Sequence, residues 1–305
     1  MQLLLFMPVA HPQLQPFFSY LQFEKRYSQH TILSYQNDLT SFFDYLIIQY
    51  GDVAVTDISH LFIRSWLASL KDEGLTAKSI NRKISSLRSY FKYALKTGQV
   101  AQSPMGKIIA PKPEKRLPQF VADKDMATLL THVEFGTDWK GQTERLLIQL
   151  FYQTGMRLSE VIGLKESGVN FGGSALKVLG KGSKERIIPV SKELLQEIQT
   201  YMQAKRDLGR LGETPVLLVS EKGKPLAARQ VYTVVKKYLS LVTTIEKRSP
   251  HILRHTFATH LTNNGADLNA VKELLGHSSL AATQVYTHNS IEKLKNVYNK
   301  AHPKA

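Results

Sequence analysis

One stretch divides the chain. From Gln99 to Pro118 the residues run QVAQSPMGKIIAPKPEKRLP, with Pro104, Pro111, Pro113 and Pro118 set among Lys107, Lys112, Lys115 and Arg116. Each proline fixes its own φ and removes a backbone donor, so a helix does not continue through this text. The stretch predicts a domain boundary: residues 1–108 form a first domain, 109–118 a basic linker and 119–305 a second domain. A chain of 305 residues is long enough to give each half its own core.

The first domain reads as helices punctuated by glycine. Ser28 to Gly51, Asp57 to Gly74 and Thr76 to Gly98 each open on a residue whose side chain caps a helix and close on a glycine suited to a left-handed cap. A further helix around Gln13 to Lys25 completes a four-helix unit. Wound at about 100° per residue, the Thr76 helix gathers Ile80, Ile84, Leu87, Phe91, Ala94 and Leu95 on one side. The opposite side carries Lys78, Arg82, Arg88, Lys92 and Lys96, with Lys83 displaced, and no acidic residue lies between Lys78 and Lys96. Like charges at this spacing repel, so the face predicts a phosphate partner in preference to bare solvation.

Net charge points the same way. Forty Lys and Arg against 25 Asp and Glu leave +15, and such an excess favours a polyanion because neutralised phosphates release their counterions. The apolar N-terminal stretch MQLLLFMPVA is broken by Pro8 and falls short of the roughly 18 residues a membrane span needs, and it lacks a basic leader. A cytoplasmic, nucleoid-associated protein is expected, with no membrane partner. With no cysteine in the chain, a disulfide scaffold, a thiolate nucleophile and a Cys-rich zinc site are excluded.

The second domain is expected to be mostly helical with a hairpin in ALKVLGKGSKERIIPV, residues 175–190. Four of its segments carry chemistry. In TGMRLSEVIGL, Arg157 and Glu160 are three apart at a helix start and so can pair. The turn GKGSKER lifts Lys181, and its spacing is not that of a nucleotide-binding loop. In SPHILRHTFATHLTNNG, Ser249 sits at the cap, Pro250 at the first helical position, and His251 and Arg254 lie one turn apart with His255 next. His251, His255 and His260 do not read as a metal site, because no HExxH pattern exists and no carboxylate shares the face of His251 and His255. In LLGHSSLAATQVYTH, Gly276 closes a helix, His277 follows and Tyr286 comes after.

Taken singly, each has a bland reading: a surface ion pair, a solvated lysine, a packed tyrosine. Their order and surroundings resemble the tyrosine recombinase family, and TGMRLSE, GKGSKER, HILRHTFATHL and LLGHSS are close to the wording of its Xer and phage-integrase members. SYQNDLTSFFDYL and LRSYFKYALKTG in the first domain resemble the family's core-binding domain. The resemblance implies a mainly α fold: a four-helix, SAM-like core-binding domain followed by a mostly helical catalytic domain with a small β-sheet.

It also implies a chemistry: phosphoryl transfer at DNA with no metal and no cofactor. Arg157 and Arg254 would meet the charge on the non-bridging oxygens with forked hydrogen bonds. Tyr286 would attack the phosphate and form a 3′-phosphotyrosyl bond. His251 would be its base or a partner of the phosphate, His277 a donor to a non-bridging oxygen, and Lys181 the acid for the leaving 5′-oxygen. Glu160 would hold an arginine or histidine, and His255 would support the site or simply pack. Lys78, Arg82, Lys83, Arg88, Lys92 and Lys96 would contact DNA. The expected partner is double-stranded DNA with a specific recombination site, bound by a homo- or hetero-tetramer that exchanges the tail helix 289–305 in trans, with a DNA translocase as activator. Xer-type dimer resolution leads. Mobile-element integration, a type IB topoisomerase-like enzyme and a non-catalytic DNA-binding protein are the alternatives.

Overall fold

A computed structural model of the chain describes residues 11–114, 119–180, 185–209, 215–276 and 297–303. It separates into two compact units, Met1–Arg116 and Leu117–Ala305.

The first unit is built on three helices: α2 (Gln29–Tyr50), α3 (His60–Asp72) and α4 (Ala77–Lys96), preceded by a short α1 (Gln15–Ser19). Their starts are capped by side chains, Ser28 accepting from the Thr31 amide, Ser59 from that of Leu61 and Thr76 from that of Ser79. Helix α3 therefore starts at Ser59 and not at Asp57, which lies in a tight 3-10 turn. The N-terminal segment is not one regular helix either. A 3-10 turn at Pro12–Leu14 leads into α1, and a wide π turn follows at Tyr20–Glu24.

Apolar faces of α2, α3 and α4 meet around Phe42, Trp66, Ile84, Leu87 and Phe91, each buried and each contributing about 1.5–3 kcal/mol by leaving water. Tyr90 and Ser86 are buried beside the expected stripe of α4, whereas Leu95 is exposed. The buried arc is wider than the sequence predicts because α4 packs against α2, α3 and the turn at Pro104–Lys107. Part of the proline-containing stretch belongs to this unit: Met105 and Ile108 enter its core, and the carbonyls of Lys107, Ile108 and Pro111 accept from Arg64, Arg88 and Asn81.

The second unit surrounds α6 (Trp139–Thr154), which is buried along nearly its whole length, as its all-round apolar text LLIQLFY demands. Around it lie α5 (Asp123–Thr131), α7 (Leu158–Ile162), α8 (Lys192–Asp207), α9 (Ala228–Val242), α10 (Pro250–Asn263) and α11 (Leu268–Leu275). The expected hairpin is present as β2 (Ala175–Leu179) and β3 (Glu185–Pro189), and a two-residue strand β1 (Val169–Asn170) adds an antiparallel third in the order β1-β2-β3. Leu179 pairs with Glu185 at the hairpin end. Among the described residues no helix is long and apolar enough to cross a membrane.

Residues 297–301 are helical and return to their own unit, where Tyr298 and Ala301 are buried with Phe257, Leu261 and Leu274. The Asn264 amide donates to the Ala301 carbonyl at 2.8 Å. His302, stacked on Tyr298, pairs through Nε2 with the Tyr152 carbonyl at 3.2 Å. In the single chain, residues 297–303 therefore lie on the apolar surface of α10 and α11.

Candidate active site

Helix α6 ends at Gly155, whose φ of +59° is left-handed and whose missing Cβ would lie 2.4 Å from the Phe257 ring. Only glycine fits this close approach, and it turns the chain so that Arg157 becomes the N-cap residue of α7. Glu160, in the first turn of α7, reaches back: its Oε2 accepts the Arg157 amide at 2.7 Å and its Oε1 accepts from Arg157 Nη1 at 2.8 Å. The pairing expected from the three-residue spacing is therefore formed, and it also caps the helix.

A third group joins that the sequence reading did not single out. Arg186 on β3 forks onto the same carboxylate, Nη1 to Oε1 at 2.6 Å and Nη2 to Oε2 at 2.8 Å. Burial pushes the Glu160 carboxyl up, but the bonds from Arg186 and Arg157 outweigh it and bring the pKa down to about 2. The carboxylate is fully ionised at neutral pH. A signal for Arg186 existed in the text ERIIP: in a strand, residue 186 shares a face with Ile188, so an arginine occupies an inward position, and both are buried.

Arg254 enters from α10. It is buried, and it donates to the carbonyl of Gly155 and, at 2.7 Å, to that of Leu275. Burial and the neighbouring Arg157 lower its pKa to about 10, with Glu160 opposing, so it too stays charged at neutral pH. Three arginines now converge on the end of α11. Arg186 Nε donates to the Leu274 carbonyl at 3.1 Å, Arg254 to that of Leu275, and Arg157 Nη2 to that of Gly276 at 2.8 Å. Consecutive carbonyls at a helix C-terminus carry partial negative charge and lack intrahelical partners, which is why cations settle there. Gly276 adopts φ +64°, and a Cβ at that position would meet Arg186 Cδ at 3.0 Å.

The cluster sets three guanidiniums against one carboxylate, so it keeps a positive excess. Arg157 and Arg254 each commit two N–H donors to these contacts out of the five a guanidinium carries, and the Arg157 side chain is 30% exposed. Donors remain to receive an oxyanion from outside. His251 stands exposed one turn before Arg254, and His255 is half-buried beside it. Ser249 occupies the N-cap of α10 without a side-chain cap bond. His260 is not a site residue: it is buried and pairs with the Tyr152 hydroxyl, the Val121 carbonyl and Asp123. Lys181, His277 and Tyr286 lie outside the described residues. By sequence Lys181 falls between β2 and β3, and His277 directly follows Gly276.

In the first unit, Lys78, Arg82, Arg88, Lys92 and Lys96 are exposed along α4. Lys83 is not. It is buried with its ammonium 3.5 Å from Asp38 Oδ1 and 5.4 Å from the centre of the Trp66 ring, which takes it off the face assigned to DNA. Asp38, buried on α2, also accepts from Arg82 at 2.5 Å and from Ser86 at 2.8 Å. The acidic residue absent from the text of α4 comes from its neighbour. Arg88 leans on the Ile108 carbonyl at 3.1 Å.

Comparison with known proteins bears on both units. Residues 119–293 match the family described as the phage integrase family, and residues 14–98 match the phage integrase N-terminal SAM-like domain. The chain is 35% identical to the tyrosine recombinase XerC of Chlorobaculum parvum, over 96% of this chain and 94% of that one. It is 38% identical to the tyrosine recombinase XerD of Staphylococcus haemolyticus, over 96% and 99%. Among solved structures, the XerH site-specific recombinase bound to a palindromic difH substrate superposes with a TM-score of 0.70 at 21% identity, covering 95% of this chain and 81% of that one. The Tn1549 transposon integrase in complex with circular intermediate DNA gives 0.68 at 21%, covering 92% and 97%.

Proposed function

The chain belongs to the phage integrase family of tyrosine recombinases, and we propose that within it this protein resolves DNA dimers in the manner of Xer recombinases. Its activity is site-specific recombination: it cuts and rejoins DNA by transesterification to a tyrosine. The observation that carries the assignment of residues is the arginine cluster, in which Arg157 and Arg254 are fixed by carbonyls and a carboxylate while keeping donors for an oxyanion. In a phosphoryl transfer the negative charge on the non-bridging oxygens is what such forks stabilise.

Tyr286 supplies the nucleophile; a free phenol has a pKa near 10, so its proton leaves with help from the cationic site and from His251. His277 donates to a non-bridging oxygen. Lys181 protonates the leaving 5′-oxygen. The phosphotyrosyl bond conserves the phosphodiester energy, so an incoming 5′-hydroxyl reseals the strand without nucleotide or metal. Glu160 and His255 support the arginines and histidines from behind. The exposed cations of α4, Lys78, Arg82, Arg88, Lys92 and Lys96, lie against the phosphate backbone, where they fix position and carry little sequence information. On DNA the protein acts as a tetramer, with itself or with a second recombinase, in the cytoplasm at the nucleoid; the tail held in cis in the single chain passes to a neighbour on assembly, and a DNA translocase is the class of activator to test.

A nicked suicide duplex carrying a site selected from random sequence tests the chemistry. The wild-type protein is expected to form an SDS-resistant adduct in the presence of chelator, and Tyr286→Phe to form none. An adduct from Tyr286→Phe overturns the nucleophile. Lys181→Ala should bind the duplex, cleave slowly and recover on a 5′-phosphorothiolate whose leaving group needs no proton. Deleting the gene should leave chromosome or plasmid multimers, and loss of element excision without multimers would replace dimer resolution by integration.

A further inference from the structure

We propose that Arg186 is a positioning residue of the recombination site, the piece that ties strand β3 to Glu160 and to the end of α11 and so sets where Arg157 and Gly276 stand. The proposal rests on the recombinase reading above and deepens it.

Arg186 touches nothing that would face a substrate. Its side chain is 6% exposed, and its Nε, Nη1 and Nη2 are all directed at protein groups: two oxygens of one carboxylate and the Leu274 carbonyl. Those partners are the ones that hold the site. Glu160 orients Arg157 by two bonds, and the Leu274 carbonyl is the first of the three consecutive acceptors shared among Arg186, Arg254 and Arg157. A planar guanidinium with a rigid donor fork satisfies the carboxylate and the carbonyl at once, which an ammonium does not. Gly276 completes the fit, since a side chain there would press against Arg186 Cδ and Nε.

Without Arg186, Glu160 would keep only the two bonds from Arg157 in a buried place, and burial would then drive its carboxyl upward. As Glu160 takes up a proton, it lets go of Arg157. The loss should therefore appear in the reaction step, and should deepen in acid.

The test uses the full-length protein with Arg186→Met and Arg186→Lys. Duplex affinity, and the single-turnover rate of adduct formation at saturating protein, are measured on the same nicked duplex. Affinity is expected within about threefold of wild type, and the rate about 10- to 100-fold lower for Arg186→Met, the scale of a small misplacement of a reacting group. Its rate relative to wild type should fall further as the pH is lowered, because Glu160, left with the two Arg157 bonds out of four, protonates more readily. Arg186→Lys should recover part of the rate. A variant that loses thermal stability but reacts at the wild-type rate, with an unchanged pH profile, overturns the proposal and leaves Arg186 a scaffold residue. If Arg186→Met does not fold, Arg186→Lys carries the same two outcomes. Failure of the wild type to form any adduct overturns the recombinase reading itself, whereas wild-type cleavage with indifferent variants overturns Arg186 alone.

Discussion

The α4 surface and the arginine cluster use the same residue types under opposite conditions. On α4, the side chains of Lys78 and Lys92 are exposed and their charges are shared with solvent. Around Glu160, Arg186 and Arg254 are buried and held by named acceptors. A solvated cation contributes little to stability and acts at long range through its field. A buried one must be paired or hydrogen-bonded to persist, and the pairing makes it rigid. The first arrangement suits capture of a polyanion. The second suits holding one phosphate in one geometry. Lys83 and Asp38 show that the boundary between the two is not the boundary between the units, since a buried pair of the second kind sits directly beneath the exposed face of α4.

The largest effect should come from removing the carboxylate of the cluster. Glu160→Ala leaves three guanidiniums without a counter-charge and is expected to cost about 3–5 kcal/mol in denaturant unfolding, with loss of adduct formation. Stability within about 0.5 kcal/mol of wild type would show the cluster to be no more coupled than a surface.

A buried imidazole extends the comparison to a group that is neutral where the arginines are charged. Burial holds His302 down at about 4, opposed by its bond to Tyr152 and helped by His260. The undocked tail binds a proton first, at an ordinary histidine pKa near 6.5, so docking weakens as pH falls from about 6.5 toward about 4, by up to about 3 kcal/mol. Hydrogen exchange at 297–303 should rise over that window, and His302→Phe should flatten it. A pH-independent tail in the wild type would refute the neutral, buried state.

Lys83→Met should cost about 1–3 kcal/mol, because Asp38 loses a buried partner, while leaving the salt dependence of duplex binding unchanged. The smallest change in stability belongs to Lys78→Met and Lys92→Met, expected within about 0.5 kcal/mol of wild type. Each should lower the slope of log affinity against log salt by about 0.9. A reversed result, with Lys83 moving the slope and Lys78 moving stability, would dissolve the distinction.

Much of this was legible beforehand. Capping residues and left-handed glycines are local signals, so Ser28, Thr76, Gly51 and Gly98 marked helix ends where they stand. Arg157 with Glu160 could be read because three residues separate them on one helix start. Arg186 is harder to read from the text, because the inward pleat of residue 186 gains its meaning only once β3 is paired with β2. The wide buried arc of α4 was hidden for a similar reason: periodicity finds the centre of a buried face, and the neighbours set its width.

By itself the sequence determined the helical segmentation, the chain order of the reactive residue types and the membership that follows from them, because these depend on local geometry and on spacing along the chain. Tertiary structure alone decided which charges are free. Asp38 reaches Arg82 across 44 residues, and Glu160 reaches Arg186 across 26. Over such separations the partner of a charge is chosen by how helices and strands pack, and packing sets both the loss of water around a guanidinium and the acceptors that replace it.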